Sequence, residues 1–101
     1  MRALVTGGTG RVGSAIAERL ERDRWDVFPA GRADGDIATA EGARNVVRAA
    51  AERLGGLDLL VNAAGEGFAP LPVEDVQEPD WDAAMGATAK GSFFVTQAAA
   101  P

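Results

Sequence analysis

The amino-acid sequence predicts a doubly wound α/β fold with a parallel sheet, and two observations with one general rule carry that expectation. Short apolar runs alternate with segments of helical period, in the order β-α-β-loop-α-β-α. Glycine recurs at every third position, Gly7, Gly10 and Gly13, where the first apolar run gives way to the first helical pattern. Strands joined by helical crossovers run parallel, and the crossovers are right-handed in nearly all cases. About three to four strands and three to four helices are expected, as a truncated sheet in a single domain spanning residues 1–101.

The first strand is Arg2 to Thr6 (RALVT), an apolar run that stops at glycine as a buried parallel strand does. Val12, Ala15, Ile16 and Leu20 then mark one face of a helix whose other side carries Glu18, Arg19, Glu21 and Arg22. Asp26 to Ala30 (DVFPA) reads as a second strand. Pro29 cannot donate to a ladder, which places this strand at or near an edge. Gly31 to Gly42 is too short and polar for a full helix, so a loop is expected, with at most a stub of strand at Asp36–Ile37. The next helix is the clearest. Ala43, Val46, Val47, Ala50 and Leu54 share a face, Thr39 can cap its start, and Gly55–Gly56 end it. Leu57 to Asn62 (LDLLVN) is the third strand, with Ala63-Ala64-Gly65 turning out of it. Glu66 to Pro79 is expected to be a loop with a helical turn near Glu74 to Gln77. Asp80 is expected to cap a helix from about Trp81 to Ala98. That helix is apolar almost all round, the pattern of one that buries more than one face.

Composition narrows the function classes. A net charge of −5 argues against nucleic acid or an anionic membrane as partner. With no cysteine and no histidine, disulfides, thiolate metal sites and the usual neutral-pH acid/base are absent. No apolar run approaches the roughly 20 residues of a membrane span, and a cytoplasmic protein is expected. The acids Glu74, Asp75, Glu78, Asp80 and Asp82 cluster before and at a helix start, where carboxylates serve as ordinary caps and dipole partners rather than as metal ligands.

The glycine stretch LVTGGTGRVGSAI, Leu4 to Ile16, carries chemistry. Gly7 sits where the strand-to-helix turn must be tight. Gly10 and Gly13 sit where approach of a phosphate and close helix packing exclude a side chain. The free N–H groups and dipole of the following helix favour an anion. A mononucleotide P-loop would need a lysine where Ser14 stands, although Gly8 and Gly13 have its separation. A glycine-rich turn with no ligand is the remaining alternative.

These residues, with DI (36–37), VNAAG (61–65) and the block WDAAMGATAKGSFFVTQAAAP (81–101), resemble the short-chain dehydrogenase/reductases. The resemblance runs over essentially the whole chain and corresponds to the N-terminal, cofactor-binding part of a full member. It implies a Rossmann-like sheet in which Gly7, Thr9, Gly10, Arg11, Val12 and Gly13 line the pyrophosphate and adenosine ribose of a dinucleotide. Asp36 would bond the adenine amino group, with Ile37 beside the ring. Asn62 would tie neighbouring strands, and Ala63, Ala64 and Gly65 would lie against the cofactor ribose. Two departures stand out. Thr88 occupies the place of the family's usual asparagine, which orders a proton-relay water, and the helix of the second βα unit is missing.

Selection of the cofactor turns on the end of the second strand. A site for unphosphorylated dinucleotide places an acid there, whereas an arginine suits a 2′-phosphate. Here Gly31 takes the acid's place, Arg32 follows, and Arg11 adds a second positive charge. NADP(H) is favoured, and NAD(H) stays open through Asp34 and Asp36. The resemblance also implies carbonyl/alcohol oxidoreductase chemistry by hydride transfer, using a serine and a Tyr-x-x-x-Lys pair. The sequence has no tyrosine, and its only lysine is Lys90, so no catalytic residue is assigned and these residues are expected to be inactive alone. The chain reads as a fragment, a truncated product or part of something longer. A non-catalytic dinucleotide-sensing or interaction module on the same fold is the rival. An open reading frame beyond codon 101 leading to Ser and Tyr-x-x-x-Lys would decide between them. A homo-oligomer through the last helix is expected, as is a small carbonyl or alcohol substrate only where the catalytic segment is present.

Overall fold

The computed structural model describes residues 1–65 and 71–100. Among the described residues, three parallel strands form one sheet in the order β2-β1-β3: β1 (Arg2–Thr6), β2 (Asp26–Ala30) and β3 (Leu59–Asn62). Leu4 faces Phe28 across one ladder and Leu60 across the other. The central strand is wholly buried at Ala3, Leu4 and Val5, which is why it reads as an unbroken apolar run. Pro29 lies on the edge strand β2, where its missing N–H is tolerated.

The helices are α1 (Arg11–Arg22), α2 (Ala40–Leu54), α3 (Glu78–Met85) and α4 (Gly91–Ala99). The chain steps from β1 to β2 in one direction, then crosses back over β1 to β3. Crossovers of one hand in opposite directions place their helices on opposite faces of the sheet. Accordingly α1 packs on β1 and β2, while α2 and α4 pack together on the other face. The core sits there: Leu4, Ala30, Ala43, Val46, Val47, Ala50 and Val95, with Phe28, Ile37 and Phe94 against it.

Several expectations are corrected by the packing. On α1, Val12 is 64% exposed and Ala15 is also exposed. The small residues Gly13 and Ala17 take the buried face, because close approach of helix and sheet selects for lack of bulk. No strand forms at Asp36–Ile37. The segment after β2 instead makes a 3-10 turn at Arg32–Asp34 and folds onto the start of α2. Its carboxylates explain this, since Asp34 accepts the Gly31 N–H at 2.8 Å and Asp36 accepts the Ala38 N–H at 3.0 Å. The third strand starts at Leu59 rather than Leu57; just before it, the Asp58 carboxylate accepts the Arg2 N–H at 2.8 Å.

The helical turn expected near Glu74–Gln77 falls at Val73–Asp75, and residues 66–70 of the expected loop lie outside the described residues. The long helix begins at Glu78 with Gln77 as its cap. Asp80 stands three residues in, its carboxylate accepting the Gln77 N–H at 2.9 Å. It is also not one helix, because a π-helical segment, Gly86–Lys90, separates α3 from α4. Gly91 after it allows the approach of Ile37, whose Cδ1 lies 2.9 Å from where a Cβ would stand. Within this chain α3 and α4 do not bury more than one face: Trp81 and Phe93 remain 61% and 60% exposed. The Thr39 cap of α2 forms as expected, its hydroxyl accepting the Gly42 N–H at 3.0 Å.

Candidate functional site

Parallel strands deliver all their following loops to one end of the sheet, and three of them meet there around a cleft of about 860 Å³. The loop after β1 supplies the floor. Gly7 is left-handed at φ 63°, and a Cβ on it would stand 2.7 Å from the Cα of Ala64. The turn closes with the Gly10 N–H donating to the Gly7 carbonyl at 3.0 Å. A Cβ on Gly13 would collide with that same carbonyl oxygen, so the first turn of α1 can lie against the loop only with glycine there. The cap position, Gly10, offers no side chain to the helix, and no acid occupies the first turn. The helix start is thus left to whatever anion enters the cleft.

The loop after β2 forms one wall through Gly31, Arg32, Gly35, Asp36, Ile37 and Ala38. Thr39 ties it to α2, its hydroxyl donating to the Asp36 carbonyl at 3.0 Å. The turn after β3 forms another wall with Ala63, Ala64 and Gly65. The buried Thr6 hydroxyl holds it, donating to the Val61 carbonyl and accepting the Ala64 N–H, each at 3.4 Å. Gly7, Thr9, Gly10, Arg11, Val12 and Gly13 all line the cleft, as do Arg32, Asp36 and Ile37.

Asn62 stands apart. Its amide donates to the Thr96 hydroxyl at 3.1 Å, joining β3 to α4 rather than to another strand, because β3 is the outer strand of this sheet. Thr88 lies in the π-helical segment, with its Oγ1 3.8 Å from the position of a Cβ on Gly65. Sequence reasoning missed Thr6, Gly35, Ala38, Asp82, Ala83 and Ala87 as lining residues. Thr6 had a signal, a polar residue closing an apolar strand before glycine. Asp82, Ala83 and Ala87 had none, because no local pattern says that α3 and the π-helical segment after it border the cleft. The cleft balances charge: Arg11 and Arg32 against Asp36 and Asp82. Among the described residues no group of three acids is arranged to hold a metal ion, and no helix is long and apolar enough to cross a membrane.

Known proteins share this arrangement. A short-chain dehydrogenase from Burkholderia cenocepacia, solved with NADP, superposes with a TM-score of 0.84 at 36% identity, over 98% of this chain and 49% of its own. A 3-ketoacyl-(acyl-carrier-protein) reductase from Brucella melitensis, solved with NADH, gives 0.84 at 26% identity, over 95% of this chain and 47% of its own. An uncharacterized oxidoreductase of Staphylococcus aureus (strain USA300) is 28% identical over 98% of this chain and 51% of its own length. The chain therefore spans about half the length of the curated relatives it matches. The family model for short chain dehydrogenase matches residues 28–101. With that match over most of its length, and the glycine loop folded as the motif requires, the chain belongs to the short-chain dehydrogenase/reductase family.

Proposed function

We propose that the cleft binds a nicotinamide dinucleotide, NADP(H) in preference to NAD(H). In this reading the chain supplies the cofactor-binding part of an oxidoreductase acting on a carbonyl/alcohol pair. The observation that carries the reading is the convergence of three strand-end loops on the uncapped start of α1. Relatives solved with NADP and with NADH support the class of ligand. The residues fit it: Gly7 and Gly13 let the loop and the start of α1 pack closely, Gly10 puts no side chain over the helix start, and the first-turn amides of α1 supply donors for a pyrophosphate. Asp36 and Ile37 offer a carboxylate and an apolar side chain to an adenine, while Ala63, Ala64 and Gly65 give a ribose a wall without bulk. When bound, the dinucleotide would supply or accept the hydride. The chain's own part is to bind it and orient it.

NADP(H) is favoured because the position after β2 is Gly31, which presents no acid to a ribose hydroxyl, and Arg32 follows it in the wall. The sequence holds no tyrosine or histidine to pass a proton to a substrate oxygen, so binding without turnover is the expected behaviour of these 101 residues. The test is titration of the chain with NADPH and NADH. Arg32→Ala should weaken NADPH by ~1–3 kcal/mol, the worth of a charge-assisted phosphate bond, and leave NADH unchanged. Equal affinity for both cofactors, before and after the change, would contradict the preference.

A further inference from the structure

We propose that Asp34 is a positioning residue for cofactor selection: its carboxylate is bound to the backbone at the end of β2, and the turn so formed presents Arg32 to the cleft. The proposal rests on the reading that the cleft takes a 2′-phosphorylated dinucleotide. Three observations carry it. The Gly31 N–H donates to Asp34 Oδ2 at 2.8 Å in a partly buried bond, and the Asp34 N–H returns to the Gly31 carbonyl at 3.0 Å. This reciprocal pair closes the 3-10 turn Arg32–Asp34, so the direction in which Arg32 leaves the backbone is set by Asp34. Gly31, Arg32, Gly35 and Asp36 line the cleft and Asp34 does not, so the acid nearest the end of β2 is turned back onto the Gly31 backbone.

The neighbourhood reinforces that arrangement. A Cβ on Gly31 would stand 3.1 Å from Thr9 Oγ1 and 3.2 Å from Thr9 Cγ2, so Thr9 crowds the place from which an acid at position 31 would start. On the far side of the turn Gly35 has φ 155°, and a Cβ there would stand 2.7 Å from the Gly42 carbonyl oxygen and 2.9 Å from Val46 Cγ2. The turn is thus pinned between the glycine loop and α2.

Charge and position predict opposite results, which makes the proposal testable. If Asp34 acted only by its charge, removing it would relieve repulsion of a 2′-phosphate, and both Asp34→Asn and Asp34→Ala would bind NADPH more tightly. If it acts by position, Asp34→Asn keeps an acceptor for the Gly31 N–H and stays within about twofold of the parent, whereas Asp34→Ala loses it. The experiment is a fluorescence titration of the full chain and both variants with NADPH and with NADH. The expected result is a fall of about tenfold in the NADPH-to-NADH affinity ratio for Asp34→Ala, with NADH affinity held within twofold and the ratio restored in Asp34→Asn. Tighter NADPH binding by either variant, an unchanged ratio in Asp34→Ala, or equal loss on both cofactors overturns it while leaving the cofactor reading in place. A parent chain that binds both cofactors equally removes the reading and the proposal together. If Asp34→Ala does not fold, Asp34→Asn decides: a threefold or greater gain on NADPH overturns the proposal, and no change supports it.

Discussion

A methyl group on Gly13 would meet the carbonyl oxygen of Gly7, and Gly7 itself is left-handed with the backbone of Ala64 against it. These contacts are between backbones, so neither side can move without displacing β1, α1 or the turn after β3. Replacement of glycine by alanine inside a helix ordinarily gains about 1 kcal/mol from propensity. At Gly13 the sign should reverse. Gly13→Ala is expected to lower stability by roughly 1–3 kcal/mol, the range for overpacking a fixed site, as read by denaturant unfolding. An unfolding midpoint at or above that of the parent would show that the loop relaxes freely.

Among the elements, β1, β2, α1 and α2 were legible because each carries a local signal. The apolar run of β1, the Thr39 cap and the Gly55 that ends α2 in a left-handed conformation all act within a few residues. What escaped the sequence depends on distant partners. Leu57 has the composition of a strand residue, yet β3 waits until Leu59 because the Arg2 N–H is satisfied by the side chain of Asp58. The π-helical segment between α3 and α4 left no local signal, and the close approach of Ile37 to Gly91 just after it joins residues far apart in the chain. Most of the cleft was legible because one glycine loop brings its own geometry; the side formed by Asp82, Ala83 and Ala87 was not, because no local pattern records which distant loop a helix borders.

The same Arg2–Asp58 contact makes a pH prediction at this scale. The Arg2 guanidinium donates to Asp58 at 3.1 Å and to the Gly55 carbonyl at 2.9 Å, joining β1, the end of α2 and the approach to β3. The hydrogen bond from that guanidinium, and then the one from the Arg2 N–H, hold the Asp58 carboxyl below its ordinary value. A depressed folded-state pKa stabilises above the unfolded value, about 3.9, and the contribution is lost as pH falls through the folded value. Thermal stability should therefore drop on acidification below about pH 4, and Asp58→Asn should flatten that part of the profile. An unchanged acid limb in Asp58→Asn would assign the drop to other carboxylates.

At the scale of the whole molecule, β3 is an outer strand and α3 and α4 leave Trp81, Met85 and Phe93 on the surface. An outer strand edge and exposed aromatic residues each favour pairing with another chain. Sedimentation of the purified chain is expected to show self-association at micromolar concentration, reduced by Trp81→Glu with Phe93→Lys; a clean monomer would contradict this. The proposed dinucleotide site is built from the glycine loop and the start of α1. It is tested most directly by titrating the chain with NADPH, following amide shifts and the reduced-nicotinamide absorbance together. Saturable shifts are expected at Gly7–Gly13 and Gly31–Ile37, with their loss in Gly13→Asp and no oxidation of NADPH in the presence of carbonyl compounds. Absence of saturable shifts, shifts that survive Gly13→Asp, or sustained oxidation abolished by Gly13→Asp would contradict it.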